Sequence, residues 1–471
     1  MSDLALLSLS EVADAIAAGK TTSVAATEAC FARIETWQKR TNAFMRTDKT
    51  KALACARAMD AEIASGKRRG KLHGVPMAHK DLYYRKGELS TAGSAIRRDW
   101  RAPFTATVLE RLDAAGEVEL GFLNMAEFAA GPTGHNVHFG HCRNPWDDKR
   151  VTGGSSSGSG ASVAARMVYG SLGSDTGGSI RLPASACGVV GMKATYGLVS
   201  RYGAAARSWS LDHVGPLTRT ARDNARLLTA IAGHDVNDST TSTRAVPDYE
   251  AGIDGDVSGL RIGLALPKDG LATLDAEIGG AVQAAADALA KRGASLSAAR
   301  LPDFTALYRS AEIVVKSEAA AMHRPWMESA PELYANQVRT RAEAGFFIPA
   351  THYIDALRLR SHFVREFLET SMAGVDAVIL PAIPFALPTI EETDTEKSGG
   401  PATLAMVSRL TGLTRPFNTL GVPALSVPCG FDHNGAPIGL QLIGRPYDEA
   451  LLYRIAHAYQ SVTDFHARVP A

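Results

Sequence analysis

The sequence predicts a single α/β body, and three observations carry that reading. Strand-like apolar runs alternate with helix-like segments, no internal repeat, collagen-like or coiled-coil period interrupts them, and 471 residues are enough to bury one large core.

From the N-terminus, Ser8 followed by Glu11 makes a capping-box pattern, and Leu9, Val12 and Ile16 recur at helical spacing up to a stop at Gly19. An amphipathic helix is expected there, and a second from Ser23. "GVPMAHKD", Gly74 to Asp81, reads as a short apolar strand that ends on polar side chains. Between Val151 and Gly188 serine and glycine dominate, yet Val163, Met167, Val168 and Leu172 fall on the spacing of one helical face. That stretch is folded rather than a linker. Residues 235–259 are polar and turn-rich, a surface crossing. After them "GLRIGLALP" reads as a buried strand and "AEIGGAVQAAADALAKRG" as a helix. "AVILPAIP", "ALSVPCG" and "IGLQLIG" add strands bounded by Pro and Gly. "IEETDTEKSGGPA", from Ile390, is polar throughout and is expected to be mobile.

Composition narrows the function. The 50 Lys and Arg against 49 Asp and Glu leave a formal charge of +1 with the basic residues scattered, so neither nucleic acid nor a membrane surface is an expected partner. A small neutral ligand suits this balance. Five cysteines, Cys30, Cys55, Cys142, Cys187 and Cys429, lie far apart with no CxxC pair and read as small buried residues rather than disulfides or zinc ligands. His135, His138 and His141 in "GHNVHFGHC" stand three residues apart, but such steps drift around a helix and Gly134 and Gly140 favour a loop. No metal is expected. The stretch "MSDLALLSLSEVADAIAAGK" lacks a basic leader and a cleavage site, and no apolar run of about 18 residues occurs, so a cytoplasmic protein is expected.

The Ser/Gly stretch admits three chemical readings. "GSGASV", Gly158 to Val163, lacks the third glycine of a dinucleotide fingerprint, and no phosphate-loop pattern exists. Gly154 to Gly158 matches a nucleophile elbow centred on Ser156, but "NPWDDKRVT" before it cannot be the hydrophobic strand that motif needs. In the third reading Ser155 in "GGSSSG" and Ser179 in "SDTGGSIR" each sit in a glycine turn, where backbone can approach a carbonyl closely. The N–H groups of "TGGS", Thr176 to Ser179, can then converge on an oxyanion, as acyl transfer requires. A serine also needs a base. No histidine stands beside either serine, and Lys80 at the end of "GVPMAHK" becomes the candidate if burial lowers its pKa. A solvated lysine would be neutral in only about one molecule in two thousand at pH 7.

From "GGSSSGSGASVA" through "GSDTGGSIRLPA", Gly153 to Ala184, the chain resembles the amidase signature family without a gap. The likeness continues in "LHGVPMAHKDL", "LNMAEFAAG", "RNPWD", "GLVSRYGAAARSWSLDHVGP" and "FNTLGVPALSVPCGFDHNGAPIGLQLIG". The resemblance implies one domain over residues 1–471, a mixed central β-sheet flanked by helices on both sides, with a signature core at about 74–220 and a variable wall segment at about 303–365. It implies that Ser179 is the acyl-accepting nucleophile, Ser155 a bridging serine after a cis peptide from Gly154, and Lys80 the base. Thr176, Gly177, Gly178 and Ser179 would supply the oxyanion N–H groups, with Ser156, Asp175 and Arg181 in support.

The implied activity is cleavage of a carboxamide C–N bond without metal or organic cofactor, in a protein expected to form a homodimer. Met322, Trp326, Met327, Phe346 and Phe347 in the wall segment suggest a small apolar or aryl amide as substrate; hydrazides, esters and carbamoyl compounds suit the same groups. The region of His135, His138 and His141 is a loop near the site entrance in this family, where a histidine can face substrate. His79 stands where an apolar residue is commoner and is expected to fill the other face of its strand. One branch of the family is the glutamine-hydrolysing subunit of tRNA-dependent amidotransferases, in which two tyrosines hold glutamine about six residues before a glutamate resembling Glu318. Ala311 and Glu312 take those places here, which counts against a glutamine site.

Overall fold

Ser8 closes the expected capping box: its Oγ accepts from the Glu11 N–H at 3.2 Å while Glu11 Oε2 accepts from the Ser8 N–H at 2.7 Å. The computed structural model describes residues 4–253, 255–267, 273–397 and 399–471. The first half runs α1 (Leu9–Ala17), α2 (Ser23–Thr41), β1 (Phe44–Thr47), α3 (Lys49–Ala64), β2 (Pro76–Lys80), α4 (Thr107–Ala115) and β3 (Val118–Leu123). The Ser/Gly region follows with α5 (Ser157–Ala164), β4 (Gly170–Asp175), α6 (Arg181–Cys187), β5 (Val190–Lys193), β6 (His213–Thr218) and α7 (Ala221–Ile231). Beyond the surface crossing come β7 (Arg261–Leu264), α8 (Ala276–Lys291), β8 (Ser295–Ala298), α9 (Phe304–Ser329), α10 (Asn336–Glu343) and α11 (Ala350–Glu366). The chain closes with β9 (Ala377–Pro381), α12 (Pro401–Leu410), α13 (Pro416–Leu420), β10 (Ala424–Phe431), β11 (Pro437–Ile443) and α14 (Glu449–Gln460).

Eight strands form the central sheet in the order β4-β6-β5-β10-β11-β9-β7-β8. Pairing is antiparallel from β4 to β9 and parallel across β9-β7-β8, the mixed sheet expected. Every residue of β4, β5, β6, β9 and β11 is buried. Because successive side chains point to opposite faces, both faces of the sheet must be covered. A second, three-stranded sheet, β1-β3-β2, was not anticipated, and it carries Lys80 at the end of β2. No helix among the described residues is long and apolar enough to cross a membrane.

Two expectations need correction. The helix around Val163 stops at Ala164, because Arg166 turns left-handed (φ 61°), so Met167 and Val168 follow in a turn and Leu172 lies on β4. All four are buried, but by helix, turn and strand packing on one core rather than by one helical face. The polar segment from Ile390 is held in turns, not loose. Ile390 O accepts from His135, Thr395 donates to Gln337, Glu396 accepts from the Gln337 N–H, and Thr393 and Asp394 are buried. Ser398 of that segment lies outside the described residues. Of the cysteines, Cys55 is half-buried and the other four are buried, all as free thiols.

Candidate active site

The last residue of β2 delivers Lys80 into the protein interior, where it has no exposed surface. Its Nζ donates to Ser155 Oγ at 2.6 Å and to Ser174 Oγ at 2.8 Å. Burial lowers its pKa to about 7, against a smaller upward pull from Asp212 and Asp175. Ser155 follows a cis peptide bond from Gly154, is also fully buried, and its carbonyl accepts from the Ala126 N–H at 3.1 Å.

The second glycine turn lies against the first. The Ser156 N–H donates to Ser179 O at 3.3 Å, and Ser156 Oγ and the Ser174 backbone bond each other at 3.2 Å. Ser179 is 8% exposed whereas Ser155 and Lys80 are at 0%. Of the three, only Ser179 can meet a ligand from solvent.

Asp175 and Arg181 hold this turn in shape. Two Asp175 oxygens receive Arg181 Nε and Nη2 at 3.0 Å each, and further bonds come from the N–H groups of Gly178 at 2.7 Å and Ile180 at 3.1 Å. Asn418 Nδ2 adds another at 2.8 Å, while Arg181 reaches Thr414 O, Gln441 Oε1 and Asn418 Oδ1. With so many donors around it the buried Asp175 carboxyl stays well below the usual carboxylate range, although burial alone would raise it. Gly178 itself has φ 130°, and a Cβ there would meet Thr414 Oγ1 at 2.3 Å.

The Gly178 N–H, expected among the oxyanion donors, is thus turned to Asp175. The Thr176, Gly177 and Ser179 N–H groups have no hydrogen-bond partner among the described residues. Thr176 is fixed instead through its hydroxyl, which donates to Asp212 Oδ1 at 2.5 Å.

Ser179, Thr176 and Gly177 open onto a cavity of about 220 Å³. Segment 303–365 contributes Tyr308, Ala311, Glu312, Val315 and Lys316 from α9 and Arg341 from α10. The aromatic and methionine residues expected to wall the cavity are elsewhere, and Tyr308 is the aromatic this segment brings to it. Trp326 stacks on Phe128 with centroids 5.4 Å apart beside Met327, Phe347 is 86% exposed, and Met322 and Phe346 do not line the cavity. Residue 322 lies about 16 Å along α9 from Ala311, which is why one helix cannot bring both to the same pocket.

The histidines sort differently from their spacing. His135 and His141 meet Asp394 with ligand atoms within 4.8 Å of one another, while His138 turns to Glu127 at 3.1 Å. Both His135 nitrogens are engaged, by Thr133 Oγ1 at 2.7 Å and Ile390 O at 3.0 Å, so this group ties two loops together and a cation would have to displace those bonds. His79 faces away from Lys80, bonded to Glu117 at 2.9 Å and to the Leu172 N–H at 3.2 Å.

The Amidase family profile matches residues 25–453. The chain belongs to the amidase signature family. It is 40% identical over 490 aligned residues to the A component of the glutamyl-tRNA(Gln) amidotransferase of Chloroflexus aggregans, covering 100% of this chain and 99% of that one. Among solved structures it resembles a chain from a vestigial protein complex tied to the origins of an s-triazine catabolic enzyme, at 34% identity and TM-score 0.88, over 97% and 98% of the two chains. The peptide amidase of Stenotrophomonas maltophilia is 29% identical with a TM-score of 0.83, over 98% of each chain.

Within this amidase signature chain, sequence reasoning passed over Ser174, although it stands one residue before Asp175 in a quoted motif. Strand alternation was the available signal: on β4, Asp175 faces Arg181 and Asn418, so Ser174 must face the other way, toward Lys80. Asn418 and Gln441 carried no such signal. They reach Arg181 from α13 and β11, more than 230 residues downstream.

Proposed function

We propose that this protein is an amidohydrolase that cleaves the C–N bond of a small linear carboxamide through an acyl-enzyme on Ser179. The observation that carries the reading is Lys80, buried, with a pKa near 7 and 2.6 Å from Ser155 Oγ. Ser179 Oγ attacks the carbonyl carbon as its proton passes to Ser155, whose own proton moves to neutral Lys80. The N–H groups of Thr176, Gly177 and Ser179 receive the negative charge that develops on the carbonyl oxygen. Protonated Lys80 returns a proton through Ser155 to the leaving nitrogen, and amine or ammonia departs. Water then attacks the acyl-enzyme along the same relay, releasing the acid and free Ser179. Esters, hydrazides and carbamoyl compounds present the same carbonyl to the same groups.

A second reading, the glutamine-hydrolysing component of a tRNA-dependent amidotransferase, is favoured by the full-length 40% identity to such a protein. Against it, Ala311 and Glu312 line the cavity at the places where that branch is expected to carry its tyrosines. The test is ammonia and amine release by the isolated chain from aliphatic, aryl and amino-acid amides, glutamine included. Turnover of simple amides that falls by about 10⁴-fold or more in a folded Ser179→Ala variant supports the first reading. Hydrolysis of glutamine alone supports the second, and full turnover by Ser179→Ala removes the nucleophile from Ser179.

A further inference from the structure

We propose that the cavity beside Ser179 selects an anionic amide, holding a carboxylate of the substrate between the guanidinium groups of Arg207 and Arg341. The inference rests on the amidase reading above and names its substrate class.

Four cationic side chains line the cavity, Arg207, Lys316, Arg341 and Arg415, against one carboxylate, Glu312. Glu312 is already shared. It pairs with Lys316 at 2.8 Å and contacts Arg415, whose guanidinium also lies 4.5 Å from the centre of the Tyr308 ring. Arg207 and Arg341 are left without a bonded carboxylate among the described residues.

Arg207 is only 6% exposed, its side chain makes no hydrogen bond among the described residues, and its Nη1 is buried with no partner. The carboxylate of its own loop, Asp212, is turned elsewhere: it accepts from the Arg207 and Ser208 N–H groups and from the Thr176 hydroxyl. Arg341 donates to Ala130 O at 2.6 Å, a neutral acceptor. Burial, and then the like charge of Arg341, bring Arg207 down to about 10. A buried charge without a partner is strongly unfavourable, and a like charge beside it makes the arrangement worse. An anion between the two guanidinium groups offsets both penalties, and the planar fork of arginine matches the two oxygens of a carboxylate. The rest of the wall, Leu211, Val315 and Val407, suits a short hydrocarbon spacer between carboxylate and amide. The near-neutral charge of the whole chain pointed to a neutral ligand; the four cations of the cavity favour an anionic one.

Calorimetry on the full chain carrying Ser179→Ala tests the proposal with two matched pairs, succinamate against succinamide and glutaramate against glutaramide. The acid of at least one pair is expected to bind at least tenfold tighter than its uncharged diamide, and added salt should narrow the gap. Adding Arg207→Gln should reduce the preference to about threefold or less, while Arg207→Lys, which keeps the charge and loses the fork, should retain part of it. Thermal melting checks that both variants are folded. Equal binding within both pairs, or no binding of either acid at millimolar concentration, overturns the proposal, as does an undiminished preference in Arg207→Gln. If the wild-type chain hydrolyses no amide yet prefers the acids, the amidase reading fails and the anion site stands. If it turns over neutral and acidic amides alike, the reverse holds.

Discussion

Lys80 and Lys193 end β2 and β5 respectively, both without exposed surface and both with burial pulling the amine below its ordinary pKa. Their partners differ. Lys80 donates to the hydroxyls of Ser155 and Ser174, groups that can take a proton and give one back. Lys193 donates to the backbone carbonyls of Val422 at 2.5 Å and Ala194 at 3.2 Å and approaches His213 Nε2 at 3.4 Å. A carbonyl accepts a hydrogen bond and relays nothing. A depressed lysine pKa therefore does not mark a base by itself; what the nitrogen touches does.

The largest effect expected from this contrast is a pair of methionine substitutions with opposite outcomes. Lys80→Met removes the proposed base and should cut kcat/KM by about 10²–10⁴-fold. It should not lower the melting temperature. With a folded pKa near 7 and an unfolded value near 10.4, the unfolded chain binds one more proton over that interval, so stability rises with pH there and the lysine costs of order 4 kcal/mol at pH 7. Removing the amine relieves that cost, and the freed hydroxyls can rotate to new partners. Lys193→Met relieves a similar penalty but strands two carbonyls that cannot rotate, so it should melt several degrees below Lys80→Met while leaving kcat/KM within about threefold. Melting curves and steady-state rates on both variants decide it, and the opposite pattern would place the chemistry at Lys193.

A tenfold change per pH unit comes next. Since the proposed base works only when neutral, kcat/KM should climb about tenfold per unit below pH 7 and level off above it. A flat profile from pH 5 to 9 would separate catalysis from Lys80.

The contrast between the lysines also shows what the sequence could reveal. Signals that act within a few residues were legible: the Ser8 cap, the strand ending at Lys80, and the two glycine turns around Ser155 and Ser179. Asp175 and Arg181, six residues apart, were legible as supports for the same reason. Arg207, Arg341 and Arg415 were not, because no local pattern marks them and a cavity that joins residues 129–132, 207–211, 308–316 and 404–415 exists only once the chain is folded. The apolar residues near Val163 misled in the opposite direction. Their spacing suits a helix, but burial against one core produces the same spacing from three different elements. The five aromatic and methionine residues expected at the wall failed likewise: the segment was the right one, but it is Tyr308, on an earlier turn of α9, that lines the pocket.

The smallest predicted effect is the sharpest test of how Lys80 is tuned. Ser174 Oγ accepts from Lys80 Nζ at 2.8 Å, and a charged ammonium gains more from such an acceptor than a neutral amine does. Ser174→Ala should therefore move the inflection of kcat/KM to a pH below 7, and loss of one of the two bonds that orient the amine should lower the plateau by about tenfold. Ser174→Thr keeps the hydroxyl and should restore the inflection. If Ser174 only packed the strand, alanine would lower the whole profile without shifting it, and Ser174 would have no part in setting where Lys80 loses its proton.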